Sequence, residues 1–187
     1  MIYIKDEEFI RGNCPMTKEE IRILSIAKLE LVEDYTVLDI GAGTGSVSIQ
    51  IAKLCPEGKV IGIEKDEEAL SILDQNSKKF NADNFTVIAG EALQVEEVIK
   101  EQFDGIFIGG SGGNIEDIIR RYSYKLKNNR KMVLNFITLD NLYKAIKIME
   151  ELNFELECSQ ISVSKTKGKS YMLFANNPIF ILSGRKV

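Results

Sequence analysis

Strand-like and helix-like segments alternate along most of this chain, and that alternation limits its fold more than any other feature. Short apolar runs read as strands at 36–40, 60–63, 85–89, 105–108 (within an apolar run, 103–108) and 131–136. Helical periodicity falls at 18–29, 45–54, 67–80, near 95–101, 115–125 and 139–152. Three β-rich segments, 155–164, 170–175 and 179–183, then follow with no helix between them. Parallel strands need crossover helices and the crossovers are right-handed, so five such units predict an α/β, doubly wound, mostly parallel sheet. The last segments add an antiparallel C-terminal hairpin. No linker or repeat interrupts the series, and one domain over 1–187 is expected, entered through a helical segment at about 1–34.

In a sheet of this kind ligands bind beyond the carboxyl ends of the strands. The net charge of −4 creates no general attraction for nucleic acid or an anionic membrane, so an anionic ligand must be held by local cations. The N-terminal "MIYIKDEEFIRG" has charges where a signal peptide needs an apolar centre, and a soluble cytoplasmic protein is expected. Cys14, Cys55 and Cys158 are far apart, form no CxxC pair and read as structural or incidental thiols. The chain has no histidine, which removes the usual zinc ligand sets and every Ser-His or Cys-His nucleophile system. No protein-bound metal is expected.

The stretch "VLDIGAGTGSVSIQIA" is a strand, a glycine-rich turn and a helix. Gly41, Gly43 and Gly45 are spaced G-x-G-x-G, whereas a dinucleotide fingerprint places its third glycine one residue later. Asp39, two residues before the first glycine, is also foreign to that fingerprint. A ligand with a sulfonium and an amino acid end, but no pyrophosphate, tolerates such an acid, and S-adenosylmethionine is favoured over NAD. Asp39 either orients the loop and reaches the ligand's ammonium through water, or braces the loop without touching ligand. Glu64 ends the second strand where a carboxylate accepts both ribose hydroxyls; the plainer reading is a solvated acid beside Lys65. Gly90, Glu91 and Ala92 end the third strand and would border the adenine. Thr17 and Glu20 match a T-x-x-E capping box, and a helix start there is also placed to close over the cofactor.

With "RGNCPMTKEEIR", "LDIGAGTGSVSIQIA", "FIGGSGGN" and "ANNPIFIL" in this order, the chain resembles the cobalt-precorrin C15-methyltransferase (decarboxylating) family over nearly its whole length. The resemblance implies a Rossmann-like class I methyltransferase fold with seven strands. It implies S-adenosylmethionine at Thr17, at Gly41, Ala42, Gly43, Thr44 and Gly45, at Glu64 and near Ala92. It also implies methylation of a (cobalt-)precorrin ring at C15 coupled to decarboxylation of the ring-C acetate, in cobalamin biosynthesis. A homo-oligomer, often a tetramer, goes with the family, as does association with a separate C5-methyltransferase. Leu93 departs from the pattern, since the family often has proline there.

A wide ring bearing carboxylate arms needs room, and Gly109, Gly110, Gly112 and Gly113, with Ser111 among them, sit just beyond the fourth strand. They are expected to clear side chains from that rim and offer backbone N–H groups to a carboxylate, next to a helix starting near Asn114. Asn135, ending the fifth strand, is a further candidate for substrate contact. Cations for the arms are sought among Arg11, Lys18, Arg120, Arg121 and the cluster Lys165, Lys167 and Lys169. Two rival functions stay open at this point: RNA or protein methylation on the same scaffold, and a non-catalytic S-adenosylmethionine-binding subunit. The first lacks a basic, aromatic-laced face, and "NNPI" falls too late in the chain to act as an amino-methylation turn.

Overall fold

Strands that must be covered on both faces are mostly apolar, and the central strands of this sheet follow that rule except at Asp39 and Asp104. The computed structural model describes residues 3–110 and 112–187. Its strands are β1 (Thr36–Ile40), β2 (Lys59–Glu64), β3 (Phe85–Ala89), β4 (Phe103–Ile108), β5 (Leu126–Phe136), β6 (Phe154–Ile161), β7 (Ser164–Lys167), β8 (Met172–Ala175) and β9 (Ile179–Lys186). Seven of them make one sheet in the order β3-β2-β1-β4-β5-β9-β6, with β9 antiparallel to both of its neighbours. β7 and β8 pair with each other as a separate two-stranded ribbon.

Helices α1 (Glu19–Lys28), α2 (Ser46–Leu54) and α3 (Glu67–Lys79) bury Ile26, Ile49 and Leu73 with Val37, Phe107 and Val133 on one face. Helices α4 (Ala92–Val95), α5 (Ile115–Ser123) and α6 (Leu139–Glu151) bury Ile119, Tyr122 and Ala145 with Leu38, Ile106 and Leu134 on the other. All six residues of β4 are buried. Each large apolar side chain so buried is worth about 1.5–3 kcal/mol. The strand order also reverses between β1 and β4, so the chain leaves these two strands toward helices on opposite faces and a crevice opens at their carboxyl ends. No helix among the described residues is long and apolar enough to cross a membrane.

Four local expectations change. The Thr17–Glu20 capping box does not form, because Lys18 is the N-cap of α1 and no side chain caps it. The Thr17 carbonyl instead accepts from Arg22 Nη1 at 2.9 Å, and Glu20 pairs with Lys165 at 2.5 Å. The helix expected near 95–101 starts earlier, at Ala92, because the Glu91 carboxylate accepts from Leu93 N–H at 2.9 Å and caps it. A 3-10 turn, Glu96–Val98, follows. β5 begins at Leu126 rather than 131, and its register against β4 shifts between Phe103 and Gly105. That irregularity surrounds buried Asp104, which Lys127 and Arg130 neutralise, so a charged stretch is strand for an electrostatic reason. The β-rich segment 155–164 divides between β6 and β7.

The residues before α1 form a strap across the α1–α3 face, held by buried polar contacts. Ile4 N–H donates to Gln50 Oε1 at 2.8 Å, while Asn76 exchanges hydrogen bonds with the backbone of Ile10 and also donates to Thr44 O. Arg22, fully buried, donates to Ile4 O at 2.6 Å, to Thr17 O and to Asp6, and lies over the Phe9 ring. One guanidinium thus fastens the strap at three points. Arg22→Ala leaves two carbonyls unpaired and is expected to lower stability by about 2–4 kcal/mol in urea unfolding. Hydrogen exchange should rise in residues 4–17 before it rises in β1 or β4.

Candidate active site

The crevice is a cavity of about 620 Å3 at the carboxyl ends of β1, β2 and β4, roofed by residues 14–18 of the strap. Its floor exists because two glycine loops touch. Gly41 has φ 76°, and a Cβ there would lie 2.8 Å from the backbone N and O of Gly110. Ile40 O accepts from Gly109 N–H at 2.9 Å, which ties the loop after β4 to the end of β1. Gly43 and Gly45 also have positive φ, and the chain then enters α2.

Polar groups converge on this cavity, and several lack partners. Asp39 is buried; its Oδ2 accepts from the Ser48 hydroxyl, while Oδ1 has no partner. Burial, with the Glu64 charge adding to it and the Ser48 hydroxyl opposing, pushes the Asp39 carboxyl up to about 7. Thr44 Oγ1 is likewise buried and unpartnered. Glu64 is no solvated acid: its carboxylate accepts from Gly43 N–H at 2.7 Å, Lys65 N–H at 2.8 Å and Asp66 N–H at 2.9 Å. It therefore clamps the glycine loop to the end of β2. Gly90 N–H donates to Glu64 O, and Tyr122 OH donates to Ala92 O at 2.7 Å, so the loop after β3 is anchored to the same rim.

Of the expected cofactor residues, Thr17, Asp39, Gly41, Ala42, Gly43, Thr44, Glu64, Gly90, Glu91 and Ala92 all line this one cavity. Gly45 does not; a Cβ there would press on Leu73 and Ile49, so it shapes the turn from behind. An adenosyl donor with a cationic sulfonium and an ammonium fits such a lining. Asp39 Oδ1 is an orphaned acceptor for positive charge, Glu64 sits where ribose hydroxyls can join its hydrogen bonds, and Gly41 and Gly43 leave the backbone bare.

The second glycine loop behaves less uniformly than its sequence suggests. Gly112 and Gly113 have φ 56° and 97° and make the turn into α5. Gly109 is packed, since a Cβ there would stand 3.1 Å from the Phe107 ring. Gly110 and Gly113 both have nothing within 4 Å of their Cβ positions, and of these two Gly110 lines the cavity. The cleared rim is thus narrower than four glycines imply, and Ser111 lies outside the described residues.

Asn135 does line the cavity; its Oδ1 accepts from the Ser25 hydroxyl at 3.0 Å, and its buried Nδ2 has no partner. Asn114 is exposed at the start of α5, caps nothing with its side chain and is absent from the lining. Among the basic candidates Lys18 lines the cavity; Lys165 is paired with Glu20, Arg120 with Glu151, and Arg121 lies 4.0 Å from Glu96. Arg11 and Lys169 are exposed away from the lining, and the Lys167 side chain lies outside the described residues. Lys65 was not singled out by sequence, yet it lines the cavity with Nζ 3.0 Å from the Cβ position of Gly112. Its only sequence signal was its place directly after Glu64. Cys14 also lines the wall, and burial together with Glu68 and Asp66 pushes its thiol up, away from the thiolate a nucleophile needs.

The family model described as "Precorrin methyltransferase domain" matches residues 8–186. A protein of Salmonella typhimurium described as a cobalt-precorrin-6B C(15)-methyltransferase (decarboxylating) is 36% identical over 187 residues, covering 98% of this chain and 96% of its own. The crystal structure of a precorrin-6y C5,15-methyltransferase from Geobacter metallireducens superimposes with a TM-score of 0.94 at 37% identity, covering 100% of this chain and 99% of its own. That of a precorrin 8W decarboxylase from Methanobacterium thermoautotrophicum gives 0.89 at 26% identity, covering 97% and 98%.

Asp39 makes the stability of the fold pH-sensitive. The folded state keeps a proton that the unfolded chain, with an ordinary value of 3.8, releases, so stability falls as pH rises from about 4 through about 7. The slope is at most about 1.4 kcal/mol per pH unit. Urea titrations across that range should show Asp39→Asn losing this component of the slope.

Proposed function

The chain belongs to the precorrin methyltransferase family, and on that premise we propose that it methylates a (cobalt-)precorrin at C15 and decarboxylates the ring-C acetate. Membership together with the donor-shaped cavity carries this reading. The cofactor residues are Thr17, Asp39, the loop Gly41–Thr44, Glu64 and Gly90–Ala92. When bound, S-adenosylmethionine supplies an electrophilic methyl group on its sulfonium.

The protein's own part is placement. Glu64 fixes the glycine loop and, with Asp39, offers negative charge to the cationic donor, while the strap residues Pro15 to Thr17 keep water from it. The open side of Gly110 admits the ring edge, so that C15 meets the methyl group in line. Such orientation is worth on the order of 7–11 kcal/mol at best and needs no histidine. Asn135 Nδ2 is the donor nearest to hand for a substrate oxygen. For decarboxylation the bond from the acetate CH2 to its carboxylate breaks and CO2 leaves. The electron pair passes into the conjugated ring, and a proton from water completes the remaining methyl group. The macrocycle is its own electron sink, much as a bound cofactor carries the hard step elsewhere.

We also read the chain as one domain that assembles with copies of itself. The β7–β8 ribbon leaves Tyr171, Met172, Leu173 and Phe174 exposed together, an apolar stretch that a second copy would cover. Assembly as a tetramer and association with a separate C5-methyltransferase are the finer forms of that proposal.

Two experiments bear on these readings. Gly110→Phe should reduce turnover at least about 100-fold while S-adenosylmethionine affinity by calorimetry changes less than about threefold; equal loss of both would assign the loop to the cofactor instead. Leu173→Asp should shift the mass measured by light scattering toward the monomer, and an unchanged mass would place the interface elsewhere.

A further inference from the structure

A cavity of about 620 Å3 is the size that holds one drug-sized ligand. The donor occupies that volume, so a macrocycle of four pyrrole-derived rings needs more surface. Beside the cavity lies a slot of about 250 Å3 that shares Lys18, Ile21, Ile137 and Ile179 with it. Ile161 and Val163 complete its apolar walls, and Asn176 and Asn177 stand at its edge. Asn176 N–H donates to Val163 O at 2.9 Å, so two of these wall segments are held together by backbone.

Resting on the substrate class proposed above, we infer that this slot receives one ring of the macrocycle, whose carboxylate arm is held at the rim by Lys18 and Asn177. The occupant follows from complementarity. A flat ring presents apolar faces to the isoleucines and valine, and its anionic arm requires a cation. Lys18 makes no ion pair among the described residues, whereas Lys165 nearby is already neutralised by Glu20. A ring seated between Ile21 and Ile137 continues directly into the cavity that Asn135 and Gly110 also line. The asparagines before Pro178, which have no place in the chemistry of amino-group methylation here, acquire a role as rim donors.

The test uses the full chain, cobalt-precorrin-6B as substrate and calorimetry for S-adenosylmethionine. Ile137 is 74% exposed, so Ile137→Asp places a charge at the lip without disturbing the core. Ile137→Asp and Lys18→Gln are each expected to raise KM for the corrin about tenfold or more, with kcat and donor Kd within about threefold. Lys18→Arg should recover most of the loss. Normal KM in both variants would overturn the slot. A donor Kd weakened as much as the corrin KM by Lys18→Gln would assign that lysine to the donor and overturn its place at the rim. A wild-type protein that turned over no corrin would overturn the reaction itself, and this inference with it.

Discussion

The contact between Gly41 and Gly110 governs the rest of the architecture. A Cβ on Gly41 would fall 2.8 Å from the Gly110 backbone, so the loops after β1 and β4 meet main chain to main chain. Both strands are buried and adjacent, and each loop leaves toward a helix on the opposite face of the sheet. The crevice is therefore a consequence of strand order, and the glycines decide how deep it is. With any side chain at 41 the loops would separate, and the donor cavity and the open side of Gly110 would no longer share a floor.

Around that floor the protein has left polar atoms unmatched. Asp39 Oδ1, Thr44 Oγ1 and Asn135 Nδ2 are buried without partners, against the strong tendency of interiors to satisfy every such group. All three belong to residues lining the same cavity. Burial without a full set of partners is also what raises the pKa of Asp39. Rigidity is supplied nearby, where Arg22 and Asn76 tie the strap to α1, α3 and the glycine loop. A site held open and polar by a firm surround suits a reaction whose barrier is lowered by alignment.

Much of this was legible in the sequence because it is written in local patterns. The alternation of segments gave the doubly wound sheet, and "VLDIGAGTGS" located the glycine turn at the cavity, since positive φ at Gly41, Gly43 and Gly45 is a demand on single residues. Glu64 and Ala92 were found by their positions after strands. Local reasoning failed where a distant charge intervened. β5 starts five residues early because Asp104, on β4, gathers Lys127 and Arg130. The Thr17–Glu20 pattern looks like a cap, yet Arg22 and Lys165 claim the two residues for the strap and the β7–β8 ribbon.

By itself the chain determined its fold class, its glycine turn and its family, because periodicity, turn chemistry and contiguous motifs depend on neighbours along the backbone. Only the tertiary structure decided which glycine of the second loop has its open side on the cavity, that Lys18 and Lys65 rather than the Lys165 cluster border it, and that Asn177 lines the same slot as Ile21. These relations join residues up to 156 positions apart, and what makes them is the packing of loops over a common sheet edge, which no stretch of sequence contains.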